Sequence, residues 1–189
     1  MHTSKTGKLL ALTALCALLF LALASCGSPS ASPSQTGEPG EGFAPGVIAV
    51  GAAAPDFTAP LLDGTSFQLS EQKDKAVLLN FWATWCGPCV GELPAFTRLI
   101  ETYGDKLALL AVNCGEDEQT VIDFLERNGY TFPVALDLEG EIASLYPSDG
   151  IPYTLIIAPD GAISSIQLGA LDADTMFDHY SAELDKVLS

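Results

Sequence analysis

The chain has 189 residues, 48% of them hydrophobic, and carries 24 acidic residues against 8 basic ones for a formal net charge of −16 at pH 7. That length can bury one sizeable core and favours one domain over two. The acidic balance argues against a nucleic-acid partner, and it is read as solubility and repulsion from anionic headgroups in preference to a specific basic partner.

Lys5 and Lys8 precede an uncharged apolar run from Leu9 to Ala24, the basic and hydrophobic regions of an export signal. Leu23-Ala24-Ser25-Cys26 then resembles the lipobox of bacterial lipoproteins. The resemblance implies that residues 1–25 are removed and that Cys26 becomes the diacylated first residue. The alternatives are a soluble secreted protein or an uncleaved span, for which the run is short. Two or three acyl chains, at about 0.8 kcal/mol per buried methylene, give effectively permanent attachment. The stretch GSPSASPSQTGEPGEGFAP that follows is rich in Ser, Pro and Gly and reads, through residue 46, as a flexible tether. Residues 47–189 are left as the folded domain.

Phe57 to Leu69 carries Leu62-Asp63-Gly64-Thr65 between apolar residues and predicts a short hairpin. Lys75 to Ala83, KAVLLNFWA, is a continuous apolar run and predicts a central buried strand. Val90 to Tyr103 predicts a helix bent at Pro94, which has no amide hydrogen for the Val90 carbonyl. Lys106 to Asn113 predicts a second buried strand. Glu116 to Asn128 predicts a helix with Glu116, Asp117 and Glu118 at its positive end and Gly129 as its stop. Phe132 to Asp137 reads as a short strand and Glu139 to Tyr146 as a short helix. Tyr153–Ala158 and Ile163–Gly169 read as a hairpin turning at Pro159-Asp160-Gly161. The last element places Phe177, Tyr180, Leu184 and Val187 at helical spacing behind a cap at Asp172, read as core residues. The fold class is α/β, with a mixed sheet flanked by helices and an N-terminal hairpin extension.

Cys86 and Cys89 form a Cys-x-x-Cys pair where the first buried strand meets a helix start. Such a pair is a redox dithiol, half of a zinc site or a structural staple. Zinc lacks a second ligand pair, since Cys114 and His179 are the remaining candidates beyond the leader and anchor. A staple across two residues constrains little of the unfolded chain. The redox reading explains the placement: free amide N–H groups at a helix terminus favour a thiolate. Cys86 is then the attacking sulfur and Cys89, one turn further in, the resolving one.

Trp85-Cys86-Gly87-Pro88-Cys89 after an apolar strand, with Gly150-Ile151-Pro152-Tyr153 before another, resembles the thioredoxin superfamily over about residues 48–189. Ala54-Pro55-Asp56-Phe57, the Leu-Asp-Gly turn, and Phe81 to Cys89 followed by Glu92-Leu93-Pro94 are similar to its ResA/TlpA branch of membrane-tethered extracytoplasmic thiol-disulfide oxidoreductases. The resemblance implies a thioredoxin fold, a cis Pro152 facing the cysteines, an Ile151 backbone that pairs with substrate, and Trp85, Gly87 and Pro88 as contact surface. Asn80 stands where thioredoxins carry a buried acid, and Glu92 one turn beyond Cys89 relocates that acid; its role is to take the proton of Cys89 as that thiol becomes a nucleophile, or that of an ordinary helix acid. Trp82 reads as core. Cys114 is an inert buried thiol or lies near the active site, and His179 has no assigned role.

Together these features imply a lipid-anchored, monomeric protein-disulfide reductase without cofactor or metal. The resemblance implies disulfide-containing exported proteins as substrates, for example apocytochrome c, and a membrane thiol carrier (CcdA/DsbD-like) as electron donor. Gly87-Pro88 resembles reducing members. Two alternatives stand: a peroxiredoxin-like antioxidant, suggested by APDF but not by CGPC, and a non-catalytic redox-sensitive or copper-binding module, which lacks a Met or His cluster.

Overall fold

A computed structural model describes residues 47–189; the leader, Cys26 and the tether lie outside the described residues. Two short strands, β1 (Thr58–Pro60) and β2 (Ser66–Gln68), pair antiparallel across the Asp63-Gly64 turn. Gly64 has φ +82° there, and Asp63 Oδ1 accepts from the Thr65 amide at 2.9 Å, so a backbone conformation that suits glycine closes the hairpin.

The main sheet contains β3 (Ala76–Trp82), β4 (Leu107–Cys114), β5 (Val134–Asp137), β6 (Tyr153–Ile157) and β7 (Ile163–Leu168). Its order is β5-β4-β3-β6-β7. β3, β4 and β5 are parallel, and β6 and β7 return antiparallel. Every residue of β3 is buried, as expected for a strand covered on both faces.

The helices are α1 (Gly87–Tyr103), α2 (Glu118–Asn128), α3 (Glu141–Leu145) and α4 (Ala173–Leu188). Ala76, Leu78 and Trp82 join Cys89, Leu93 and Phe96 of α1 and Met176, Tyr180 and Leu184 of α4 in one core. Val77, Leu79 and Phe81, pointing the other way, join the hairpin residues Phe57 and Phe67 and Ile142 of α3. Trp82 is therefore core. α4 lies along α1: Tyr103 Oη donates to Asp185 Oδ1 at 2.8 Å, and Arg98 stands 3.9 Å over the Phe177 ring while pairing with Asp174.

Three details refine the sequence reading. α1 continues through Pro94 and begins at Gly87, at the helix start expected beside Cys86 and ahead of the Val90–Tyr103 stretch, because Gly87 and Pro88 occupy the first positions, where a missing amide hydrogen removes no intrahelical bond. α2 begins at Glu118 with Asp117 as its cap, accepting from the Thr120 amide at 3.0 Å. Glu116 therefore lies outside the helix predicted to contain it, and its carboxylate turns instead toward Thr84 and Asn113. Gly129 ends α2 in the left-handed region, and Asp172 caps α4, both as predicted.

Candidate active site

β3 delivers the chain to the sheet's C-terminal edge, Ala83–Trp85 cross the gap, and Cys86 caps α1. Cys86 and Cys89 are joined in a disulfide with a Cα–Cα distance of 5.2 Å. Cys86 Sγ accepts from the Cys89 amide at 3.3 Å, and the first turn of α1 holds no acidic residue. Once the bond is reduced, an amide and the positive end of the helix therefore face the Cys86 sulfur, and both favour its thiolate. Cys86 keeps 6% exposure and Cys89 none. Gly87, Pro88 and Trp85 around them are exposed, Trp85 at 71%.

The opposite wall comes from the segment leading into β6. The Ile151–Pro152 peptide bond is cis, and the Ile151 carbonyl oxygen lies 3.8 Å from Cys86 Sγ. Pro152 O accepts from the Gly169 amide at 2.8 Å, which joins this segment to the end of β7. The structure thus brings together Trp85, Cys86, Gly87, Pro88, Cys89, Ile151 and Pro152, all singled out from the sequence.

Beneath the disulfide, Glu92 is fully buried one turn beyond Cys89. Its Oε1 accepts from Asn80 Nδ2 at 3.0 Å and its Oε2 from the Tyr180 hydroxyl at 2.7 Å. Asn80 Nδ2 also donates to Thr154 Oγ1 at 2.8 Å. The Tyr180 oxygen lies 3.1 Å from Thr154 Oγ1 and, having given its single proton to Glu92, can accept from it. Burial pushes the Glu92 carboxyl up to about 7, against the opposing pull of the Tyr180 and Asn80 hydrogen bonds. Burial likewise pushes the Tyr180 phenol well above its ordinary range, with the Glu92 charge adding to it. Asn80 and Glu92 were visible in the sequence. Thr154 and the polar role of Tyr180 were not: Tyr180 matched the apolar stripe of α4, and its hydroxyl gave no periodic signal.

Cys114 ends β4 on the face opposite α1, packed against the hairpin-side core. Burial, then the Asp137 charge, pushes its thiol up to about 11. It shares the sheet's edge with the dithiol but stands across the sheet from it. His179 is half-buried on α4, away from the Glu92 network's hydrogen bonds.

The AhpC/TSA family model matches residues 50–166. The chain belongs to that family. It is 36% identical over 133 residues to the thiol-disulfide oxidoreductase ResA of Geobacillus thermodenitrificans, covering 70% of this chain and 76% of that one. It is 40% identical over 132 residues to the thioredoxin-like protein YneN of Bacillus subtilis, covering 68% and 77%. Among solved structures, a DsbE-like thiol:disulfide interchange protein from Chlorobium tepidum superposes with a TM-score of 0.69 at 28% identity, covering 76% of this chain and all of that one. The fold is the thioredoxin fold, and the family member described here is a thiol-disulfide oxidoreductase of the ResA/DsbE type. Among its described residues no helix is long and apolar enough to cross a membrane.

Proposed function

We propose that this chain is an extracytoplasmic, lipid-anchored reductase that transfers electrons from its Cys86–Cys89 dithiol to disulfides in exported proteins, apocytochrome c among them. The observation that carries the reading is the buried Glu92, one helical turn from Cys89 and holding its proton up to about pH 7. A resolving thiol shielded from water needs an internal proton acceptor, and Glu92 is a carboxyl poised near neutrality for that task.

The reaction is written from the reduced dithiol. The Cys86 thiolate attacks one sulfur of the substrate disulfide; the S–S bond breaks, and the other substrate sulfur leaves as a thiolate that takes a proton from water. Glu92 accepts the Cys89 proton, and the Cys89 thiolate attacks Cys86 Sγ. The mixed disulfide breaks, the second substrate sulfur leaves and is protonated, and Cys86–Cys89 forms. Two electrons have moved to the substrate. A membrane thiol carrier then returns two electrons and two protons to the chain. Trp85, Pro88 and the Ile151–Pro152 segment supply the contact surface along which an extended substrate segment aligns.

The reading is tested with the purified chain on insulin and on an oxidised peptide containing the Cys-x-x-Cys-His haem-attachment sequence. Reduction of both, abolished in Cys86→Ser and stalled as a mixed disulfide in Cys89→Ser, is expected. In cells, radiolabelled palmitate should enter the wild type but not Cys26→Ser. A chain that cannot reduce either substrate from its fully reduced state defeats the reductive role.

A further inference from the structure

The segment Ala83–Trp85 joins the end of β3 to the nucleophile, and its conformation sets where the Cys86 sulfur points. Among the described residues, one side chain takes hydrogen bonds from it. Glu116 Oε2 accepts from the Thr84 amide at 2.7 Å, and Glu116 Oε1 accepts from the Thr84 hydroxyl. Oε2 also accepts from Asn113 Nδ2 at 2.7 Å. Asn113 is fully buried and stands in register with Trp82, the last residue of β3. The carboxylate thus binds the exits of two neighbouring parallel strands to each other.

The loop that presents Glu116 is fixed independently of Thr84. Gly115 adopts φ +74° and donates its amide to Asp137 O at 3.2 Å. Asp137 in turn accepts from the amides of Ile142 and Ala143 at 3.1 and 2.8 Å, anchoring it to α3. An added Cβ at Gly115 would meet nothing within 4 Å, so the glycine serves the left-handed backbone and not the space around it. Glu116 is therefore held from one side by the rigid edge of the sheet and holds on the other a residue two positions before the attacking sulfur.

We propose that Glu116 is a positioning residue for thiol-disulfide exchange, acting through Thr84 to fix the segment that aims Cys86. Exchange is an in-line displacement at sulfur, and misplacing a reacting atom by about 1 Å costs on the order of 100-fold in rate. Small reagents that approach the sulfur from any direction demand less of that alignment than a protein disulfide docked on Trp85 and Ile151. The inference rests on the exchange chemistry and holds whichever way the electrons flow.

The test measures exchange in both directions with the full chain: reduced protein with insulin, and oxidised protein with reduced, unfolded ribonuclease A. Glu116→Gln and Thr84→Ala are each expected to slow the insulin reaction about tenfold, with alkylation of Cys86 by iodoacetamide changed less than threefold. The double variant is expected to be no slower than the slower single variant, since both break one connection. A role confined to fold stability would lower the urea midpoint and leave the insulin rate of the folded protein within twofold of wild type; that result overturns the inference. So does a double variant whose losses multiply to about 100-fold. Thr84→Val, which retains the shape and the backbone bond while deleting the hydroxyl bond, provides the same readout if either variant fails to fold, with a several-fold slowing expected and an unchanged rate counting against the proposal. Failure of the wild type to reduce insulin would defeat the reductive role alone, because oxidation of reduced ribonuclease A by the oxidised protein, expected to slow about tenfold in the same variants, still reports the positioning effect.

Discussion

Tyr180 of α4 donates its phenolic proton to Glu92 Oε2 of α1 across 2.7 Å, in a core where both side chains are buried. The last helix of the chain therefore touches the buried carboxyl beneath the dithiol. The contacts that lay α4 along α1, Tyr103 with Asp185 and Arg98 with Asp174 and Phe177, keep that donor in place.

Tyr180→Phe removes this donor and keeps the ring against Phe96, whose centroid is 6.1 Å away. A hydrogen bond to the ionised carboxylate favours ionisation, so its loss raises the Glu92 midpoint further above about 7. A hydrogen bond to a charged group is worth about 1.5–3 kcal/mol, so a rise of about one to two pH units is expected. Stopped-flow resolution of the mixed disulfide across pH 5 to 9 should show its midpoint moving to higher pH. A profile that overlays the wild type would separate Tyr180 from the acid.

Glu92→Gln should change how stability depends on pH. The folded-state value of about 7 lies above the ordinary 4.5, so the native protein binds this proton more tightly than the unfolded chain. The associated stability is complete below about pH 4.5 and is lost as pH rises through about 7, a difference of about 3 kcal/mol. Glutamine does not titrate. Between pH 4 and pH 8 the wild type should therefore lose about 3 kcal/mol relative to the variant, measured by urea unfolding of the oxidised form. Parallel loss in both proteins would place the pH dependence elsewhere.

The order of strands and helices, the dithiol at a helix start and the acid one turn beyond it were legible because each is a local pattern. β3 announced itself as an apolar run, Asp172 as a cap, and Asp63-Gly64 as a turn. Tyr180 was not legible as a partner of Glu92, nor Thr154 as a partner of Asn80, because contacts between residues 88 and 74 positions apart are set by how α4 and β6 pack. Glu116 was misread for a related reason. Three acids in a row all suit the positive end of a helix, and only the tertiary donors Thr84 and Asn113 draw the first of them away.

Cys114 should behave as an inert thiol. With its midpoint pushed up to about 11 by burial and by Asp137, roughly one part in a thousand is ionised at pH 8. After reduction, iodoacetamide at pH 8 should modify Cys86 at least tenfold faster than Cys114, read peptide by peptide in the mass spectrometer. Cys114→Ser should leave insulin reduction within twofold of wild type. Rapid labelling of Cys114 would show that the sheet face over it opens.

Asn80→Asp tests why β3 carries an amide where it meets Glu92. Asn80 is fully buried, and its Nδ2 donates to both Glu92 and Thr154. A second carboxyl in that place turns one donated bond into a repulsion between two buried acids, which then share a single proton at neutral pH. Leaving an uncompensated buried charge costs on the order of 3–5 kcal/mol, so the variant should be strongly destabilised at pH 8 and recover much of the loss at pH 5, where both carboxyls can hold protons. Adding Glu92→Gln to Asn80→Asp removes one of the two acids and should restore most of the stability at pH 8. Equal urea midpoints for Asn80→Asp and wild type at pH 8 would mean that water or a rearranged side chain reaches this carboxylate, and the low-polarity surroundings that hold Glu92 near pH 7 would then have to be abandoned.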